Sequence, residues 1–143
     1  MYKNRISYDD IKRVLENSEA KHKLCIADAC YSGSLMAQRS AYGESLDLFY
    51  STFEKTKGGT AFLLSSKQEE TSLESSGMRQ GVFSHYLIDG LKGACDVNKD
   101  RIITIRELYD YVYANVKKFS GNAQTPVIAG NYDNNMPVGV VRF

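Results

Sequence analysis

The strongest constraint on the fold of this chain is a short apolar run that ends abruptly in polar residues and glycine. Residues Leu24–Ala27 are all apolar, and Asp28, Cys30 and Gly33 follow directly. A strand buried on both faces of a parallel sheet has this continuous apolar character, and α/β folds place ligands and chemistry in the loop at its carboxyl end. We therefore predict a buried strand that delivers the thiol of Cys30, the first candidate nucleophile, to such a loop.

The rest of the chain alternates between helical and strand patterns. Apolar residues at helical spacing predict four helices, and short apolar runs predict three further strands. The predicted helices lie at about 8–17, Leu46–Phe53, Val82–Leu91 and Leu108–Val116, and the strands at Ala61–Leu64, Val127–Ala129 and Val138–Val141. This order indicates one α/β domain over residues 1–143, a sheet covered by helices. The polar stretch 65–80 is too long for a simple connection, which is typical of a functional or disordered loop.

Composition excludes several classes of function. The formal net charge is +1 and no stretch is densely basic, so we expect neither nucleic acid nor a membrane as a partner. No apolar stretch is long enough to span a bilayer and the first ten residues are polar, so we expect a cytoplasmic protein. Three cysteines, Cys25, Cys30 and Cys95, leave at least one unpaired within the chain, and reduced thiols are the simplest interpretation.

The acid beside the candidate nucleophile has a separate role. On a strand, Asp28 and Cys30 would share a face while Cys25 pointed the other way. A neighbouring carboxylate disfavours the thiolate, so Asp28 is a poor activator and is better suited to recognising a basic substrate side chain. The alternative is that Cys30 is a small buried hydrophobe and Asp28 a turn former. The acid, the strand end and Gly33 together favour the catalytic interpretation.

The cysteine segment resembles the active-site signature of metacaspases and bacterial caspase-like cysteine peptidases. The residues that carry the resemblance are Asp28–Gly33, Ala61–Ser72, Gly81–Phe83, Leu108–Val112 and Gln124–Val127. The resemblance implies a caspase-like three-layer α/β/α sandwich with a mostly parallel sheet. It also implies an endopeptidase that uses Cys30 as nucleophile and the Cys30 backbone amide in the oxyanion hole.

The same resemblance assigns the substrate-binding residues. Asp28 matches the acid that gives metacaspases their preference for Arg or Lys before the cleaved bond. Ser65 and Ser66 would lie beside the substrate backbone, and Glu69 would add negative charge to the pocket. The expected partner is therefore a polypeptide with a basic residue before the cleaved bond.

The histidine that such a peptidase needs is missing from its expected position. In caspases it lies roughly fifty residues before the cysteine, which is more than this chain provides upstream of Cys30. We expect His22 to be a surface residue and His85 a packing or surface residue. The chain is then the carboxyl-terminal part of a caspase-like domain that lacks its first strands, and alone it should hydrolyse substrates poorly or not at all. The open edge of the Leu24 strand should pair with the missing amino-terminal part or a second copy. The alternative function is a non-catalytic pseudoprotease or a peptide-binding adaptor.

A second motif resembles a calcium-binding loop. Residues at positions 1, 3, 5, 7, 9 and 12 of an EF-hand-like loop are Asp96, Asn98, Asp100, Ile102, Thr104 and Glu107. Arg101 replaces the glycine of position 6, which favours the alternative of a polar turn whose Thr104 caps the next helix at Glu107. We expect no required cofactor, with calcium as the one candidate ion.

Overall fold

The computed structural model describes residues 8–28, 59–67 and 81–141. Its helices are α1 (Tyr8–Asn17), α2 (Val82–Asp89), which continues through a π-helical segment (Gly90–Ala94), and α3 (Ile105–Phe119). Its strands are β1 (Lys23–Ala27), β2 (Thr60–Leu64), β3 (Ile102–Thr104), β4 (Val127–Asn131) and β5 (Pro137–Val140). The predicted helix at Leu46–Phe53 lies outside the described residues.

The central sheet has the order β1-β2-β4 in the described part of the chain. β1 and β2 are parallel, with Leu24 opposite Ala61 and Ala27 opposite Leu64, whereas β4 runs antiparallel to β2. β2 has a strand on each side, and all five of its residues are buried. Parallel pairing together with covering helices confirms the predicted α/β class.

The first apolar run forms a strand as predicted, but the prediction that this strand is buried is wrong. β1 is only partly buried, and the side chain of Ile26 is 39% exposed. Within the described sheet β1 has a neighbour on one side only, because the order starts with it. Its apolar run therefore belongs to a half-buried strand at the edge of the sheet that the structure describes.

Two helices cover the sheet and enclose the main core. Along α3, Leu108, Val112 and Val116 recur four residues apart, which places them on one helical face, and all three are fully buried. They pack with Val82 and Phe83 of α2 and with residues of the sheet and ribbon. The predicted spacing of α3 is thus confirmed, although the helix is longer at both ends. No helix within the described ranges is long and apolar enough to cross a membrane.

A separate two-stranded ribbon formed by β3 and β5 was not predicted as such. β3 has three residues, and it pairs antiparallel with β5, Ile102 opposite Val140. Three residues are too few to show the alternation of apolar and polar side chains that predicts a strand. β3 is recognised only by its pairing with β5, more than thirty residues later in the chain. The predicted late strand at Val138–Val141 exists, but it belongs to this ribbon and not to the central sheet.

Candidate active site

The carboxyl ends of β1 and β2 meet at one edge of the sheet. Ala27 and Leu64 are opposite each other, and the next residues, Asp28 and Ser65, leave the two strands side by side. The amide of Ser65 donates a hydrogen bond of 3.0 Å to the carbonyl of Ala27. Neighbouring strands lie about 4.8 Å apart, so the structure brings the candidate acid close to the start of the candidate substrate-binding loop.

Asp28 is exposed at this edge and is held by a side chain that the sequence did not indicate. The hydroxyl of Ser84, in the first turn of α2, donates a hydrogen bond to Oδ2 of Asp28. The two residues are 56 positions apart, so no local motif could have linked them. Because β1 ends at Ala27, Asp28 belongs to the loop that follows the strand. The prediction that Asp28 and Cys30 share a face assumed that Asp28 lies on the strand, so strand geometry no longer supports it.

Ser65 and Ser66 are fully buried beside Asp28. The buried amide of Gln124 donates a 2.8 Å hydrogen bond from Nε2 to the carbonyl of Ser65, which ties the segment before β4 to the end of β2. No role was predicted for Gln124, although a polar residue next to Thr125 and Pro126 at the start of a strand was a usable signal. The contact of the two serines with a substrate backbone stays a prediction.

Two of the predicted site residues, Cys30 and Glu69, lie outside the described residues. The other two cysteines are free, and Cys25 is half-buried whereas Cys95 is buried. Burial raises the pKa of Cys25, and burial together with the charge of Glu107 raises the pKa of Cys95 to about 11. Since the thiolate is the reactive form, the raised pKa values make both thiols poorer nucleophiles than an ordinary cysteine, and Cys30 stays the predicted nucleophile.

The two histidines lie away from Asp28 or are packed against other groups. His22 directly precedes β1, at the opposite end of the strand from Asp28, a separation of about 20 Å over six residue steps. Gly59 lies close to the His22 ring, since a Cβ there would be 3.2 Å from His22 Nδ1. The ring of His85 stands edge-on to Tyr86 with 5.0 Å between centroids. These positions agree with the surface and packing roles expected of them.

The loop that resembles a calcium site is closed by its own hydrogen bonds. Oδ2 of Asp96 accepts from the amide of Arg101, and Asn98 and Asp100 accept from the amides of Asp100 and Ile102. Arg101 has a φ of 70°, so it adopts the left-handed conformation that position 6 of such a loop requires.

Glu107, the last residue of the predicted calcium set, contacts the helix cap. Its Oε2 accepts from both the amide and the hydroxyl of Thr104, and the Thr104 hydroxyl accepts from the Glu107 amide. The predicted cap of α3 is therefore confirmed. In the part of the chain that the structure describes, no three His, Cys, Asp or Glu residues group around a point that could hold a metal ion. Calcium binding stays a prediction, and calorimetry that detects no heat at millimolar calcium would end it.

A comparison with protein-family models shows which family this chain belongs to. A family model described as the caspase domain matches residues 2–135. The chain belongs to the caspase domain family. A search of curated proteins finds no match. The resemblance read from Asp28–Gly33 and the later segments is thus confirmed at the level of the family, while the metacaspase branch stays a prediction. Membership of this peptidase family supports a cysteine peptidase type of function for the caspase domain described here.

Proposed function

We propose that this caspase domain is part of a cysteine endopeptidase that cleaves polypeptides after Arg or Lys. The observation that carries the proposal is the Asp28 carboxylate, which is exposed at the carboxyl edge of the parallel strand pair and accepts a hydrogen bond from Ser84. Ligands of α/β folds bind at this edge, and an exposed carboxylate there attracts a cationic side chain.

In the proposed reaction Cys30 is the nucleophile. Its thiolate attacks the carbonyl carbon of the bond after the basic residue, and its backbone amide stabilises the resulting oxyanion. The peptide C–N bond then breaks, the amine leaves with a proton from a histidine, and water hydrolyses the acyl-enzyme. The proposed histidine is neither His22 nor His85 and comes from sequence upstream of residue 1.

Asp28 serves recognition in this scheme. A charge-assisted hydrogen bond contributes about 1.5–3 kcal/mol when protected from water. Because Asp28 is exposed, we take the lower end of that range, which corresponds to about tenfold discrimination between a charged substrate side chain and a neutral one of the same shape.

Labelling by peptidyl electrophiles tests the proposal. Two probes that differ only in arginine or citrulline before the reactive group are compared, because citrulline keeps the shape and removes the charge. We expect the arginine probe to label Cys30 about tenfold faster, with the preference lost in Asp28→Asn and labelling lost in Cys30→Ala. Glu19→Gln makes the same charge change at an exposed residue before the other end of β1 and should keep the preference.

The outcomes separate the candidate functions. Equal labelling by both probes would refute the specificity for basic residues. Failure of both probes to react with Cys30 in a chain extended to include the proposed upstream histidine would favour the non-catalytic peptide-binding alternative, since labelling requires a competent thiolate.

We also propose that the outer edge of β1 pairs with a strand from an amino-terminal part of the domain or from a second copy. Support comes from the position of β1 at one end of the described sheet and from the exposed Ile26 on it. Light scattering after size-exclusion chromatography measures the mass, and a monodisperse monomer would count against pairing between copies.

A further inference from the structure

Ser84 connects two elements whose positions are fixed independently. It lies on α2 directly after Val82 and Phe83, both 0% exposed in the core. The first turn of α2 is closed by the amide of His85, which donates 2.9 Å to the carbonyl of Gly81. The Ser84 hydroxyl therefore lies on a helix whose first turn is packed in the core, and not on a loop.

The carboxylate that receives this hydroxyl stands on the first residue beyond β1. The backbone just before it is fixed by the bond from the Ser65 amide to the Ala27 carbonyl, but the exposed Asp28 side chain has two rotatable bonds of its own. An exposed carboxylate that is not held must lose rotational freedom when it binds a ligand, which weakens binding. The hydrogen bond from Ser84 to Oδ2 removes that freedom in advance.

We propose that Ser84 is a positioning residue that orients the Asp28 carboxylate for a guanidinium or ammonium group of the substrate. The inference rests on the proposed function, because it assigns Ser84 to the pocket in which Asp28 recognises Arg or Lys. Ser84 acts through Asp28 and touches no reacting atom. Threonine, which keeps the hydroxyl, should preserve the role, and alanine should abolish it.

Direct binding tests the assignment without requiring turnover. N-acetyl-L-arginine amide and N-acetyl-L-citrulline amide are titrated into the full chain, and the dissociation constants are measured by NMR. For the wild type we expect tighter binding of the arginine compound. Ser84→Ala should weaken arginine binding about fivefold and leave citrulline binding unchanged, whereas Ser84→Thr should stay within about twofold of the wild type.

Two further variants complete the design. Asp28→Asn should abolish the preference for arginine, and Ser18→Ala should leave it intact, since Ser18 is an exposed serine whose hydroxyl caps the amide of Ala20 before the other end of β1. A merely structural role of Ser84 would instead lower the affinities for both compounds in parallel.

The two proposals fail in different ways. A wild-type chain that binds both compounds equally, or neither, contradicts the proposed recognition of basic residues and the role of Ser84 with it. A preference that is lost in Asp28→Asn but fully kept in Ser84→Ala overturns the positioning role alone.

Discussion

Replacing Gly130 with alanine should force β4 away from β2. Gly130 lies in β4 opposite Ala61, with a φ of 107°. An added Cβ would stand 2.1 Å from the carbonyl oxygen of Thr60, well inside the 3.0 Å that real Cβ atoms keep. The obstacle is backbone, so it cannot rotate away, and the strand itself must move by about 1 Å.

The expected loss of stability follows from two contributions. A side chain in the left-handed region costs about 1–2 kcal/mol. Moving β4 breaks one or two hydrogen bonds to β2, at about 1 kcal/mol each. We therefore expect Gly130→Ala to lower the free energy of unfolding by about 3 kcal/mol, a large part of the 5–15 kcal/mol typical of a domain.

Gly121→Ala is the matched control. Gly121 also has a positive φ, 59°, but no atom of the described residues lies within 4 Å of its would-be Cβ. Gly121→Ala therefore introduces the backbone strain without the collision. In both variants alanine lowers the conformational entropy of the unfolded chain by the same amount, so this stabilising effect cancels in the comparison. We expect a loss of about 1 kcal/mol there, so the pair should differ by about 2 kcal/mol in urea unfolding followed by circular dichroism. Equal losses in the two variants would refute the argument that the Thr60 carbonyl decides the effect.

Three further predictions concern the cap of α3, a buried thiol and the end of β2. Thr104→Ala removes the capping box with Glu107 and should cost about 1 kcal/mol in urea unfolding, whereas Thr104→Ser should cost little; equal losses would contradict the cap. Folding raises the pKa of the Cys95 thiol to about 11, so the folded state holds this proton at pH values where the unfolded state releases it. The thiol's contribution to the free energy of unfolding is therefore complete below pH 9 and is lost as the pH rises towards 11. Cys95→Ala should show a shallower decline over that window, and parallel curves would contradict this. Gln124→Met takes a donor from the buried carbonyl of Ser65 and should lower the free energy of unfolding by about 1–3 kcal/mol, so a loss under about 0.5 kcal/mol would exclude the role assigned to that amide.

Sequence alone determined the features that depend on neighbouring residues. The spacing of Leu108, Val112 and Val116 predicted the buried face of α3, and Thr104 with Glu107 predicted its start. The apolar run at Ala61–Leu64 predicted the buried strand beside which the candidate site lies. These signals are local, because helical and strand periodicities repeat within a few residues and record which side of an element is buried.

Tertiary structure decided the contacts that local periodicity does not encode. The burial of β1 was overestimated because an apolar run does not reveal which elements cover the faces of its strand. The bond from Ser84 to Asp28 and the bond from Gln124 to Ser65 join residues 56 and 59 positions apart. Which distant groups meet is set by the path of the chain, so the sequence determined that an acid stands at the end of a strand, and only the packing of α2 against the sheet decided which side chain holds it.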